Sequence, residues 1–107
     1  MRQISARQLS DRLNDNSRDE PILLDVREPW EFDVCRISGS KHIPMRTVPA
    51  RITELDPERE VIVICHHGAR SYQVGIFLER QGFSDVLNLS GGVAAWAHEV
   101  DPTMRQY

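Results

Sequence analysis

Val61-Ile62-Val63-Ile64 sets four apolar β-formers in a row with no polar alternation, and the run ends directly on Cys65. A strand without a polar side has both faces covered, which is the situation of a central strand in a mostly parallel sheet. The next residues, His66-His67-Gly68-Ala69-Arg70, read as a tight polar loop. From Ser71 to Gln81 the apolar set Val74, Phe77 and Leu78 repeats at helical spacing, with Gly82 as a stop. The chain thus delivers a thiol to the carboxyl end of a buried strand, where open α/β sheets gather their ligands. The helix that follows turns its amino terminus, and the partial positive charge there, back towards that thiol. Such a setting makes Cys65 a nucleophile rather than a packing residue.

The rest of the chain repeats the strand-then-helix rhythm. Ser5-Ala6-Arg7-Gln8 is a capping box that opens a helix with Ala6, Leu9 and Leu13 inward, closed by Asp15-Asn16-Ser17. Pro21 to Val26 is a short buried strand, and Glu28-Pro29-Trp30-Glu31-Phe32 is one helical turn with proline near its start. Lys41-His42-Ile43-Pro44 is extended, because the residue before a proline is steered out of the helical region. A helix is predicted over Val48 to Glu54, a last strand over Val86 to Leu89, and a last helix from Gly91-Gly92 through Trp96. Strands alternating with helices give a mostly parallel central sheet with helices on both faces.

The length, 107 residues, suits a single domain over 1–107 that buries a core without disulfides or a structural metal. A net charge of −3 gives no support to nucleic-acid or anionic-membrane binding. No apolar run is long enough to span a bilayer, and the first residues carry no apolar signal segment. Two cysteines make no disulfide framework, so free thiols in a reducing cytoplasm are expected.

Three segments together resemble a single-domain rhodanese, of the sulfurtransferase family. They are Leu24-Asp25-Val26-Arg27-Glu28-Pro29-Trp30-Glu31-Phe32, the loop Cys65 to Ser71, and Asn88-Leu89-Ser90-Gly91-Gly92-Val93-Ala94-Ala95-Trp96. The resemblance implies a rhodanese-like three-layer α/β fold. Many members have glycine-histidine-isoleucine-proline-glycine where this chain reads Cys35-Arg36-Ile37-Ser38-Gly39-Ser40. That variant, with Val100-Asp101-Pro102 and Tyr107, resembles the rhodanese domain fused to certain adenylyltransferases. Those enzymes pass sulfur to ubiquitin-like carrier proteins.

The resemblance implies sulfane-sulfur transfer through a persulfide on Cys65, from thiosulfate or a protein persulfide to a carrier protein or other thiol acceptor. His66, His67, Gly68, Ala69, Arg70 and Ser71 form the substrate cradle, their backbone N–H groups facing the terminal sulfur. The histidines are rim residues whose backbone matters more than their rings. Gly68 permits the curl, and Arg70 supplies positive charge for the leaving oxyanion. Asp25 is read as holding the loop through backbone hydrogen bonds, and Arg27 is named beside it as a second supporting residue. Trp30 and Trp96 are packing residues, and Glu28 and Glu31 a solvated helix face. Cys35 is a small buried hydrophobe in preference to a resolving thiol. No cofactor is required, and the cysteines and histidines lack a familiar zinc-ligand spacing. A monomer is the default state.

Three other functions compete. Cysteine phosphatases place one residue more between cysteine and arginine, and the four residues from His66 to Ala69 leave too small a loop for tetrahedral phosphate. A thiol-dependent arsenate reductase needs a resolving cysteine, for which Cys35 is the sole candidate. A non-catalytic regulatory module of the same fold has no need of Cys65, Gly68 and Arg70 together.

Overall fold

The computed structural model describes every residue from Met1 to Tyr107. The elements alternate as β1 (Arg2–Ile4), α1 (Ala6–Leu13), β2 (Ile22–Asp25), α2 (Pro29–Val34), β3 (Lys41–His42), α3 (Val48–Arg51), β4 (Val61–Ile64), α4 (Ala69–Arg80), β5 (Val86–Leu89) and α5 (Gly92–Glu99). The strands form one sheet in the order β1-β5-β4-β2-β3, and every neighbouring pair is parallel. The unalternating run predicted as central is central: β4 lies between β5 and β2 with all four residues buried.

The period of two along each strand sorts side chains into two cores. Val61, Val63 and Cys65 join Leu24, Val26, Val48, Val74 and Leu78 on the α3 and α4 side of the sheet. Ile62 and Ile64 join Ala6, Leu9, Leu87, Leu89, Val93 and Trp96 on the α1 and α5 side. The alternation carries on past the end of β4 and so decides which way the thiol faces. It lies with the α4 core.

Helix α1 begins as predicted, with the Gln8 N–H donating to Ser5 Oγ at 3.1 Å and the Ser5 N–H donating to Gln8 Oε1 at 2.9 Å. The helix predicted over Val48 to Glu54 is only partly α: a 3-10 turn (Met45–Thr47) precedes α3 and another (Ile52–Glu54) follows it. Pro49 stands in the first turn of α3, and β-branched Ile52 and Thr53 propagate a helix poorly. Strand β1 is an addition, since Arg2-Gln3-Ile4 has a single apolar side chain and no readable period. Its parallel register on β5 pairs Gln3 with Asn88.

Candidate active site

Gly68, Ala69, Arg70 and Ser71 lie at the amino end of α4, which starts two residues earlier than the apolar spacing suggests. Gly68 caps the helix at φ +105°, a left-handed conformation that costs glycine little. Its N–H donates to Cys65 Sγ at 3.1 Å. A Cβ there would stand 3.3 Å from the Gly91 nitrogen and 3.4 Å from the Leu89 oxygen, so space and dihedral both call for glycine. The N–H groups of His66, His67, Ala69, Arg70 and Ser71 make no hydrogen bond within the chain. They remain free in the loop that follows Cys65, a residue 1% exposed.

The loop carbonyls are anchored from the opposite side. The Val93 N–H donates to the Cys65 oxygen at 3.0 Å and the Ala94 N–H to the His66 oxygen at 3.1 Å. Helix α5 thus spends its amino-terminal donors on the loop, while the first N–H groups of α4 stay unpaired. Gly92, at φ +59°, lets the two backbones meet: a Cβ would lie 2.3 Å from the His66 oxygen and 2.4 Å from the Cys65 oxygen.

Ser71 is fully buried, with Oγ 3.3 Å from Cys65 Sγ, and its hydroxyl donates to Asn88 Oδ1. With its only proton committed there, it accepts from a neutral thiol; to serve a thiolate it must rotate and donate to sulfur. Asn88 Nδ2 donates to the Gly68 oxygen at 3.1 Å and to Gln3 Oε1 at 3.0 Å. Asn88 therefore fixes both the cap of α4 and the hydroxyl beside the sulfur. Sequence reasoning missed it, although the alternation places Asn88 on the same sheet face as Val86, Val63 and Cys65.

Two sequence expectations need correction. Glu31 is not solvated: it is 3% exposed and makes a bidentate pair with Arg70, Nη1 to Oε1 at 2.6 Å and Nη2 to Oε2 at 2.9 Å. The spacing within α2 could not show this, because the partner lies on another element. Tyr107 Oη also donates to Glu31 Oε2 at 2.8 Å. The Arg70 guanidinium, and secondarily the Tyr107 hydroxyl, hold the Glu31 carboxyl at about 2 against the effect of burial. Glu28 is half-buried and its Oε2 lies 3.8 Å from Arg46.

Nor does the Asp25 carboxylate reach the loop. It accepts from the Arg27 backbone N–H at 3.0 Å and from Arg27 Nη2 at 2.7 Å, a pair with no solvent exposure. An arginine two residues away takes up the buried carboxylate completely. Arg27 in turn donates to the Cys35 and Glu31 carbonyls and, at 3.0 Å, to Tyr107 Oη. Asp25 and Arg27 thus support α2 and the chain after it, and through Glu31 they support Arg70.

His66 is half-buried and stacks on His67 and on Tyr107, each with ring centroids 4.0 Å apart. Burial, and next the neighbouring His67, lowers the His66 pKa. Burial first of all pushes Tyr107 up to about 12. Trp30 is 59% exposed and packs edge-on against Tyr107, whereas Trp96 is a core residue. A cavity of about 170 Å³ beside the loop is lined by Cys35, His66, His67, Val93, Arg105 and Tyr107, among others. Cys35 is half-buried, with Arg27 Nη1 at 3.7 Å from its sulfur. No three His, Cys, Asp or Glu side chains converge as metal ligands, and no helix is long and apolar enough to cross a membrane.

Residues 5–99 match the family model described as a rhodanese-like domain. A sulfurtransferase from Allochromatium vinosum is 40% identical over 95 residues, covering 89% of this chain and 87% of that protein. The thiosulfate sulfurtransferase GlpE of Stutzerimonas stutzeri is 38% identical over 77 residues, 72% of this chain and 71% of that one. The probable adenylyltransferase/sulfurtransferase MoeZ of Mycobacterium tuberculosis is 33% identical over 106 residues, 97% of this chain but 26% of that protein. A crystal structure of a rhodanese-like domain protein from Staphylococcus aureus superposes with a TM-score of 0.85 at 30% identity, covering 94% and 95% of the two chains.

Proposed function

The chain belongs to the rhodanese-like domain family and is a sulfurtransferase of the thiosulfate sulfurtransferase type, and from that premise we propose that Cys65 carries the sulfur as a persulfide within the cradle from His66 to Ser71. In the first half-reaction the Cys65 thiolate attacks the sulfane sulfur of a donor. A bond forms between Sγ and that sulfur while the donor's own bond to it breaks, and the electron pair leaves with sulfite or a thiolate. In the second, an acceptor nucleophile attacks the outer sulfur and the pair of the S–S bond returns to Sγ. No net oxidant or reductant is needed.

One observation carries this reading. The buried Sγ accepts the Gly68 N–H at 3.1 Å, and the N–H groups of the residues around it are left without partners. Preorganised donors of this kind stabilise an anionic sulfur without reorganising during the reaction. Ser71, its proton committed to Asn88, offers its oxygen to the neutral thiol and donates to a thiolate only after rotating. For the acceptor we favour a thiol, such as that of a ubiquitin-like sulfur-carrier protein. Support for the finer resemblance to adenylyltransferase-linked domains is the match to MoeZ, which runs along 97% of this chain.

The test is intact-protein mass spectrometry of wild type, Cys65→Ser and Cys35→Ser after brief exposure to thiosulfate or glutathione persulfide. The expected result is one added sulfur atom in wild type and in Cys35→Ser, none in Cys65→Ser, and removal of that sulfur by cyanide. Sulfur retained by Cys65→Ser refutes the assignment.

A further inference from the structure

We infer that the cavity beside the active loop is a binding site for a small organic acid, a monocarboxylate on a short apolar chain. The cavity holds about 170 Å³, and three segments meet around it: His66 and His67 of the loop, the α5 residues Val93, Ala94 and Ala97, and Arg105 to Tyr107 beyond that helix. Cys65, Gly68, Arg70 and Ser71 do not line it. The sulfur contacts Gly68 and Ser71 at the start of α4, whereas the cavity lies against α5, whose Ala94 N–H holds the His66 carbonyl. The site therefore adjoins the sulfur cradle without being part of it, and it does not depend on what Cys65 carries.

The polar part of the lining decides the charge of the occupant. No aspartate or glutamate lines the cavity. Arg105 stands on its wall without an acid partner, whereas the guanidiniums of Arg27 and Arg70 are spent on Asp25 and Glu31. Of the four histidines only His42 hydrogen-bonds through its ring, so the ring nitrogens of His66 and His67 are also unclaimed. The Tyr107 hydroxyl, by contrast, is given to Glu31, and its ring, stacked on His66, offers the cavity a flat side. A free guanidinium fork matches a carboxylate, which accepts two parallel N–H bonds from it, and an imidazole beside it adds a further donor.

The apolar part sets the rest of the molecule. Val93, Ala94 and Ala97 offer only aliphatic groups. At about 30 Å³ for each water-sized group, the space suits roughly five or six of them, the size of a four-carbon acid. Arg105 is the one arginine or lysine of the lining, so a monoanion meets it charge for charge. A dianion such as thiosulfate would set its second charge against the aliphatic floor.

The experiment uses butyrate as the probe. In Cys65→Ser the one remaining thiol is Cys35, which lines the cavity, so its alkylation by neutral iodoacetamide reports occupancy. At constant ionic strength butyrate should slow that alkylation with a Kd of about 1 mM, within the range for a ligand of this size, and by about tenfold at about ten times the Kd. In wild type, amide proton–nitrogen NMR spectra should give the same Kd from Val93 to Ala97 and from Arg105 to Tyr107. The uncharged isostere butyramide should bind about tenfold more weakly, and Arg105→Gln should weaken butyrate by a similar factor. Acetate, shorter by two methylenes, should also bind about tenfold more weakly. Butyramide that matches butyrate overturns the inference, because the charge then has no part in binding. Thiosulfate that shifts the α5 amides at lower concentration than butyrate overturns it too, because the cavity is then the entrance for the sulfur donor. Should Cys35 prove unreactive, the amide shifts decide, and their absence at about twenty times the expected Kd refutes the site.

Discussion

Replacing Gly92 by alanine tests whether the double-glycine segment exists to let α5 approach the active loop. The new Cβ would fall 2.3 Å from the His66 oxygen and 2.4 Å from the Cys65 oxygen, and both obstacles are backbone. At φ +59° an L-residue also loses about 1–2 kcal/mol to left-handed strain. Overpacking against atoms that cannot rotate away costs a further ~1–3 kcal/mol. Displacing the loop weakens the Val93 and Ala94 hydrogen bonds to those same carbonyls, at about 1 kcal/mol each. The sum is roughly 4–7 kcal/mol, a fall in Tm of about 20 °C or more for a domain of this size. Gly82→Ala is the internal control. Its φ is +95°, yet a Cβ there meets nothing within 4 Å, so strain alone acts and Tm should drop by about 5–10 °C. Thermal unfolding by circular dichroism gives both numbers, and mass spectrometry follows sulfur loading below each Tm. Loading should slow more than about tenfold in Gly92→Ala, because the loop donors are displaced, and stay at wild-type rate in Gly82→Ala. If both variants melt within a few degrees of each other, backbone approach is not what Gly92 provides.

Asn88→Ala removes an acceptor for Ser71 and donors to Gly68 and Gln3. Stability should fall by about 2–4 kcal/mol, and alkylation of Cys65 at pH 7 should quicken because the freed Ser71 hydroxyl can turn and donate to the thiolate; wild-type values for both contradict the role given to Asn88. Glu31 carries a pH signature. Its folded pKa of about 2 lies below the ordinary 4.5, so its stabilisation is fully present above about pH 4.5 and is lost as pH falls towards 2. Denaturant titrations from pH 6 to about 2 should show up to ~3 kcal/mol of acid lability that Glu31→Gln lacks, and parallel curves would refute it. Tyr107→Phe keeps the stack on His66 but deletes the hydroxyl shared by Glu31 and Arg27, for a loss of about 1–2 kcal/mol in urea unfolding. An unchanged midpoint would mean that water replaces the hydroxyl at no cost.

The sulfur and its loop were legible because their chemistry lies in one unbroken segment whose strand and helix periods can be counted. The supporting contacts were not, because each reaches the loop from elsewhere: Glu31 from α2, Asn88 from β5 with Gln3 of β1 behind it, and Tyr107 from beyond α5. Glu31 looks like any charged residue in a helical turn, and only a partner 39 positions away makes it buried. Asn88 was within reach of the period-two argument, since a polar residue facing a core in a fully buried strand needs a partner there. Strand β1 could not be read, because backbone pairing to β5 holds it and not its side chains. For the same reason Asp25 was given the wrong partner. A buried carboxylate announces that something must pair with it, and only the fold says that Arg27 arrives first.

The spacing from Cys65 to Arg70 first serves as an argument about loop width, but the structure gives it a stronger basis. Ser71 Oγ reaches the sulfur and Asn88 on one side of α4, while the Arg70 guanidinium reaches Glu31 on another. An α-helix turns about 100° per residue. Neighbouring positions therefore send Arg70 and Ser71 to separate elements, Glu31 on α2 and Asn88 on β5. Both pairs hold the first turn of α4 in one rotational setting, which its core residues Val74 and Leu78 fix from the other end. The loop between Cys65 and Arg70 thus closes on a helix start that is set by partners outside it.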